Sequence, residues 1–146
     1  MIVVGVDGSD GAKRALAWAL GEARVRNTPL RVVNAYQSPV AVYAAAGFGM
    51  PVADVDDQAL QEASRTSIGA ALDEQADAAR DLEIERVAVN GQAASVLVDA
   101  SSGAELLVVG SRGHGGFAGL LLGSVGMQCV HHAHCPVVVI PKDASA

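Results

Sequence analysis

The chain of 146 residues is short of aromatic rings, cysteine and positive charge, and each shortage closes off a class of function. Its five aromatic residues, Trp18, Tyr36, Tyr43, Phe48 and Phe117, are too few and too scattered to form a base-stacking platform. Ten Lys and Arg stand against 16 Asp and Glu, a formal net charge of −6, so the basic footprint of a nucleic-acid binder is missing as well. Two cysteines, Cys129 and Cys135, cannot frame a disulfide scaffold and fit a reducing compartment as free thiols. None of these is needed as a staple, because a domain of this length typically removes about 70% of its unfolded surface from water on folding.

Uninterrupted apolar runs of membrane length are also lacking. The uncharged stretch from Val32 to Ala53 is long enough to span, but Asn34, Gln37, Ser38, Pro39, Gly47, Gly49 and Pro51 break it. The amino terminus has no basic flank and meets Asp7 too soon for a signal-peptide core. These features lead us to expect one cytoplasmic domain over residues 1–146, with no membrane partner.

What the chain does have is apolar patterning, with 51% of its residues hydrophobic. Runs rich in β-branched residues predict strands at Ile2–Val6, Leu30–Ala35, Glu105–Val109 and Pro136–Ile140, with a weaker one at Ile84–Val89. Several are continuous rather than alternating, which marks strands buried on both faces of a parallel sheet. Helical patterns fall between them at Ala12–Arg24, Asp57–Arg80, Ala94–Ala100 and Ser124–Ala133, with Ser9 or Asp10 as the first N-cap. The alternation predicts an α/β fold, a doubly wound five-stranded parallel sheet with helices on both faces. Gln37–Val55 is the one long connection, read either as a linker or as a lid over a ligand.

Ligands of such sheets bind beyond the carboxyl ends of the strands, where the winding reverses. Glycine and small polar residues concentrate after the first strand, Gly5-Val6-Asp7-Gly8-Ser9, and after the fourth, Gly110-Ser111-Arg112-Gly113-His114-Gly115-Gly116. Neighbouring first and fourth strands give the order 3-2-1-4-5; a flavodoxin-like 2-1-3-4-5 would instead pair the first loop with the poorer Asn90-Gly91. The fourth loop runs on to Gly123-Ser124-Val125-Gly126 at the head of the last long helix. Glycine amides, a helix N-terminus, the Ser124 hydroxyl and the fork of Arg112 make a phosphate cradle there. A Walker loop is excluded, since no Gly-Lys pair occurs in the chain. Gly113-x-Gly115-x-x-Ala118 mimics a dinucleotide fingerprint but follows the wrong strand and lacks the acidic residue about twenty positions on. The run Cys129 to Cys135 holds His131, His132 and His134, yet Pro136 keeps Cys135 off a regular helix, and we assign no metal site there.

Gly110-x-x-Gly113, nine residues, then Gly123-Ser124 resembles the motif of the universal stress protein family, as do Ile2–Ser9, Leu106–Gly113, Leu121–Val125 and Cys135–Ile140. The resemblance covers the whole chain and implies the 3-2-1-4-5 fold. It implies a nucleotide site for ATP, with Mg2+ carried by the phosphates. Asp7 is similar to the residue beside the ribose, and Ala35 to the strand end that reads adenine. Val109, Gly110, Arg112 and Gly113 resemble the loop over ribose and phosphates; Gly123, Ser124 and Val125 resemble the second half of the phosphate site. For Asp7 a plain helix-capping or turn role stands beside the ribose role. The family often carries Ser or Thr where this chain has Gly126, one hydroxyl fewer for a γ-phosphate.

The resemblance further implies a homodimer, and the last strand, at an edge and without charge, invites pairing through Pro136–Ile140. The leading expectation is an ATP-binding stress-response regulatory protein without catalytic residues. The alternative is a dimeric interaction module that takes an AMP-type nucleotide or none. An adenylating or pyrophosphate-cleaving enzyme is disfavoured, because Asp7 sits at the centre of the loop where a pyrophosphate would lie.

Overall fold

The computed structural model describes residues 1–47, 56–114 and 121–142. Five parallel strands, β1 (Ile2–Gly5), β2 (Leu30–Tyr36), β3 (Ile84–Asn90), β4 (Leu106–Gly110) and β5 (Val137–Ile140), form one sheet in the order β3-β2-β1-β4-β5. The register sets Ile2 beside both Leu30 and Leu106, and Gly110 beside Ile140. The winding therefore reverses between β1 and β4, as the loop chemistry predicted, and the flavodoxin-like order is excluded.

Successive strand residues point to opposite faces and divide the core in two. Ile2, Val4, Leu30, Val32 and Val108 meet the helices α1 (Asp10–Arg26) and α3 (Asp57–Asp73) on one face. Val3, Val33, Leu107 and Val109 meet α5 (Ala93–Ala100) and α6 (Ser124–His132) on the other. The two central strands β1 and β4 carry only apolar residues and glycine, because both of their faces are covered by helices.

Helix α1 packs on the sheet through the buried stripe Ala15, Leu16, Ala19, Leu20 and Ala23. Ser9 is its N-cap, its Oγ accepting from the Ala12 N–H at 3.2 Å, and Asn27 ends it in the left-handed region at φ 50°. Two elements differ from the sequence reading. The stretch 57–80 is not one helix: α3 stops at Asp73, and a separate turn, α4 (Ala76–Ala79), follows. The break lies at Gln75, whose Nε2 donates to Lys13 O of α1 at 2.9 Å, beside a Lys13–Glu74 ion pair at 2.9 Å. The long connection also contains a short helix, α2 (Pro39–Ala45), with Pro39 at its first turn, where a missing N–H costs nothing. The rest of the lid candidate, residues 48–55, lies outside the described residues.

Among the described residues no helix is long and apolar enough to cross a membrane.

Candidate functional site

The carboxyl ends of β1 and β4 open into a cleft of about 820 Å³, mouth included. All nine residues singled out from the sequence line it: Asp7 and Ala35, then Val109, Gly110, Arg112 and Gly113, then Gly123, Ser124 and Val125. One end is apolar, walled by Val33, Ala35, Leu97 and Val109; the other is built of loop backbone and the start of α6.

The polar end is held by a short chain of backbone hydrogen bonds. The Ser111 N–H donates to Ile140 O at 2.8 Å, and the Gly123 N–H donates to Ser111 O at 2.7 Å. The two halves of the glycine motif are thus joined directly, although the spacer residues 115–120 lie outside the described residues. Helix α6 begins here with Gly123 as its N-cap and no side chain capping it. Its first-turn residues Ser124, Val125 and Gly126 all border the cleft. First-turn amides have no acceptor within their own helix, so this end presents unsatisfied N–H donors and the positive end of a dipole.

Close approaches explain three glycines. A Cβ on Gly113 would lie 2.5 Å from Asp7 Oδ2, so a side chain there would displace the carboxylate. A Cβ on Gly110 would lie 2.7 Å from the Gly11 carbonyl carbon, and one on Gly11 would lie 2.3 Å from Arg112 O. The head of α1 and the end of β4 therefore meet backbone against backbone. Gly110 has a packing duty in addition to its place at the cleft.

Asp7 holds the turn that leads into α1: its Oδ1 accepts from the Ser9 N–H at 2.9 Å and from the Ser9 hydroxyl. Its Oδ2 accepts from the His114 N–H at 3.3 Å, tying the first loop to the fourth. The turn role weighed for Asp7 is real, and it coexists with a place on the cleft wall. Among the described lining residues Asp7 is the one carboxylate and Arg112 the one permanent cation. No group of three or more His, Cys, Asp or Glu gathers among the described residues in a way that could hold a metal ion. In the run considered for metal, the backbone N–H of His134 donates to Ser101 Oγ at 2.8 Å.

The family profile described as "Universal stress protein family" matches residues 1–141. The chain belongs to this family. A universal stress protein of Mycobacterium tuberculosis is 37% identical over 95% of the chain. The chain spans about half the length of the curated relatives it matches, 47% and 48% in two of them. A universal stress protein solved in complex with cAMP is 30% identical, with a TM-score of 0.65 and coverage of 95% of this chain and 94% of that one. Another, from Archaeoglobus fulgidus and in complex with dAMP, is 26% identical, with a TM-score of 0.65 and 95% of each chain covered.

Several residues at the cleft of this universal stress protein chain escaped the sequence reading. Ala93 and Leu97 complete the apolar wall; in the sequence Leu97 reads as helix stripe, and Ala93 falls one residue before the expected helix, which in fact begins with it. Gly11 does not line the cleft, and no local signal in the sequence announces its backbone approach to Arg112 O. Gly126, already singled out from the sequence, borders the cleft in the first turn of α6.

Proposed function

We propose that this chain is a nucleotide-binding regulatory module of the universal stress type that holds ATP, with Mg2+ on its phosphates, in the cleft between β1 and β4. The observation that carries the reading is the pairing of an apolar pocket with a helix start that no side chain caps. Val33, Ala35 and Leu97 suit the face of an adenine ring, and the first turn of α6 suits phosphate oxygens. Arg112 adds a forked cation, and Mg2+ would reach the site on the nucleotide, since Asp7 is the one carboxylate at hand. Asp7 would accept from ribose hydroxyls through Oδ2, which its long contact to His114 leaves partly free. With Oδ1 held by Ser9, Asp7 is poorly placed to serve as a general base, so we assign no catalytic residue.

A second reading, an AMP-type ligand, draws support from Gly126, which brings no hydroxyl for a γ-phosphate, and from the cAMP and dAMP held by the two related structures. Titration calorimetry of nucleotide-free protein with ATP, AMP and cAMP, with and without Mg2+, separates the two. ATP with Mg2+ should bind roughly tenfold or more tightly than AMP, the worth of one or two hydrogen bonds to charged oxygens. Gly113→Ala should lose most of that affinity. Equal binding of ATP and AMP transfers the assignment to the second reading, and normal binding by Gly113→Ala removes the phosphate cradle.

We further propose a homodimer paired through β5. This strand has β4 on one side and an open edge on the other, and its outward residues carry no charge. Sedimentation should give a dimer at micromolar concentration; a monomer there overturns this part.

A further inference from the structure

We propose that Asn34, on the far face of β2 from the cleft, is a positioning residue that sets the loop carrying Asp7, with Ser64 of α3 holding it in place. The inference rests on the nucleotide reading above and extends it to residues that do not line the site. The ladder between β1 and β2 ends at Gly5 and Val33. One residue further on, the Val6 N–H still donates to Val33 O at 2.9 Å, but the Val6 carbonyl has passed the last paired position. Asn34 takes it instead: its Nδ2 donates to Val6 O at 2.6 Å. The other half of the same amide, Oδ1, accepts from Ser64 Oγ at 2.5 Å, and Ser64 is buried on α3 at 5% exposure. A side-chain amide thus replaces the missing ladder bond at the residue immediately before Asp7.

The bracket is firm because its support is fixed at a second level. Asp57, in the first turn of α3, accepts from Asn90 Nδ2 at 2.9 Å and from the Tyr36 hydroxyl at 3.4 Å, at the carboxyl ends of β3 and β2. Helix α3 is therefore clamped to the sheet at its start and in its middle, so Ser64 cannot drift without breaking these contacts. Asn34 is the one polar side chain in the apolar run Val32-Val33-Asn34-Ala35. A half-buried amide satisfied on both sides is costly to lose, since the Val6 carbonyl and the buried Ser64 hydroxyl are then left without this partner.

Hydrogen exchange at single amides tests the bracket without a ligand. In Asn34→Leu the Ser9 and His114 amides, both donors to Asp7, should exchange at least tenfold faster, while Val4 and Val108 in the core keep wild-type protection. Ser64→Ala, a milder change that stays folded if Asn34→Leu does not, should show the same pattern about threefold. In binding, Asn34→Leu should weaken ATP about tenfold and leave inorganic tripolyphosphate, which has no ribose, unchanged. In an Asp7→Asn background it should cost nothing further. Unchanged Ser9 and His114 exchange in both variants overturns the proposal, as does equal weakening of ATP and tripolyphosphate. A wild-type protein that binds no adenine nucleotide overturns the site assignment instead, and the exchange data still decide whether Asn34 sets the loop.

Discussion

Replacing Gly110 by alanine should destabilise the protein, while the same replacement at Gly21 should stabilise it. At Gly110 the new methyl would sit 2.7 Å from the Gly11 carbonyl carbon and 2.8 Å from its oxygen, both backbone atoms. Ordinary van der Waals contact begins near 3.4 Å, so β4 and the head of α1 must part by about 0.7 Å. Overpacking of this kind costs about 1–3 kcal/mol, and for a chain of this size that lowers the melting temperature by roughly 3–10 °C. Gly21 is exposed in the middle of α1, and a Cβ there meets nothing within 4 Å. Removing its excess chain entropy should add about 0.5–1 kcal/mol. Urea and thermal unfolding followed by circular dichroism measure both variants against the wild type. A Gly110→Ala protein as stable as the wild type, with Gly21→Ala unchanged or worse, would refute the claim that backbone contact between β4 and α1 defines this corner of the cleft.

Ser9→Ala should cost about 1 kcal/mol in a urea melt through loss of the α1 cap, and Ser9→Gly only a few tenths. Gly126→Ser supplies the missing hydroxyl; its Cβ would meet Leu122 Cδ1 at 2.6 Å, the movable end of a side chain. If ATP is the ligand, this variant should raise the ATP-to-AMP affinity ratio about tenfold in calorimetry, and a ratio that stays flat speaks against a γ-phosphate at this position. Burial raises the thiol pKa of both Cys129 and Cys135, at Cys135 against a lowering by the Leu107 backbone. Both should therefore alkylate with iodoacetamide at pH 8 more slowly than a free thiol, fully buried Cys129 only after denaturation. Because these thiols hold their protons longer when folded, their contribution to stability is present below the ordinary thiol range. It fades as pH climbs through the raised values, which a urea midpoint series from pH 7 to 10 can follow.

The sheet was legible because its inner strands must bury both faces, and the runs Ile2–Gly5 and Leu106–Gly110 can satisfy nothing else. The crossing point was legible because glycine and small polar residues cluster after those two strands, where backbone has to come close to backbone or ligand. Elements decided by distant partners were not legible. The apolar rhythm of α3 runs on past Asp73, and what interrupts it is Gln75 reaching a carbonyl of α1. Pro39 looks like a breaker and instead opens α2. Leu97 doubles as core and cleft wall, and a periodic pattern cannot tell these duties apart. Asn34 was visible as a polar interruption, but its meaning needs Val6 and Ser64 beside it.

The Ile140–Ser111–Gly123 chain of backbone bonds makes the edge strand and the cleft mechanical neighbours. A peptide group of β5 supports the loop after β4, and that loop supports the first residue of α6. A strand added outside β5 and an anion seated at α6 would press on the same two hydrogen bonds from opposite ends. Binding at the two places is then subject to linkage: whatever factor pairing at the edge applies to nucleotide affinity, nucleotide must apply to pairing. If the proposed dimer and the proposed nucleotide both form, assembly and occupancy would then be two readings of one equilibrium.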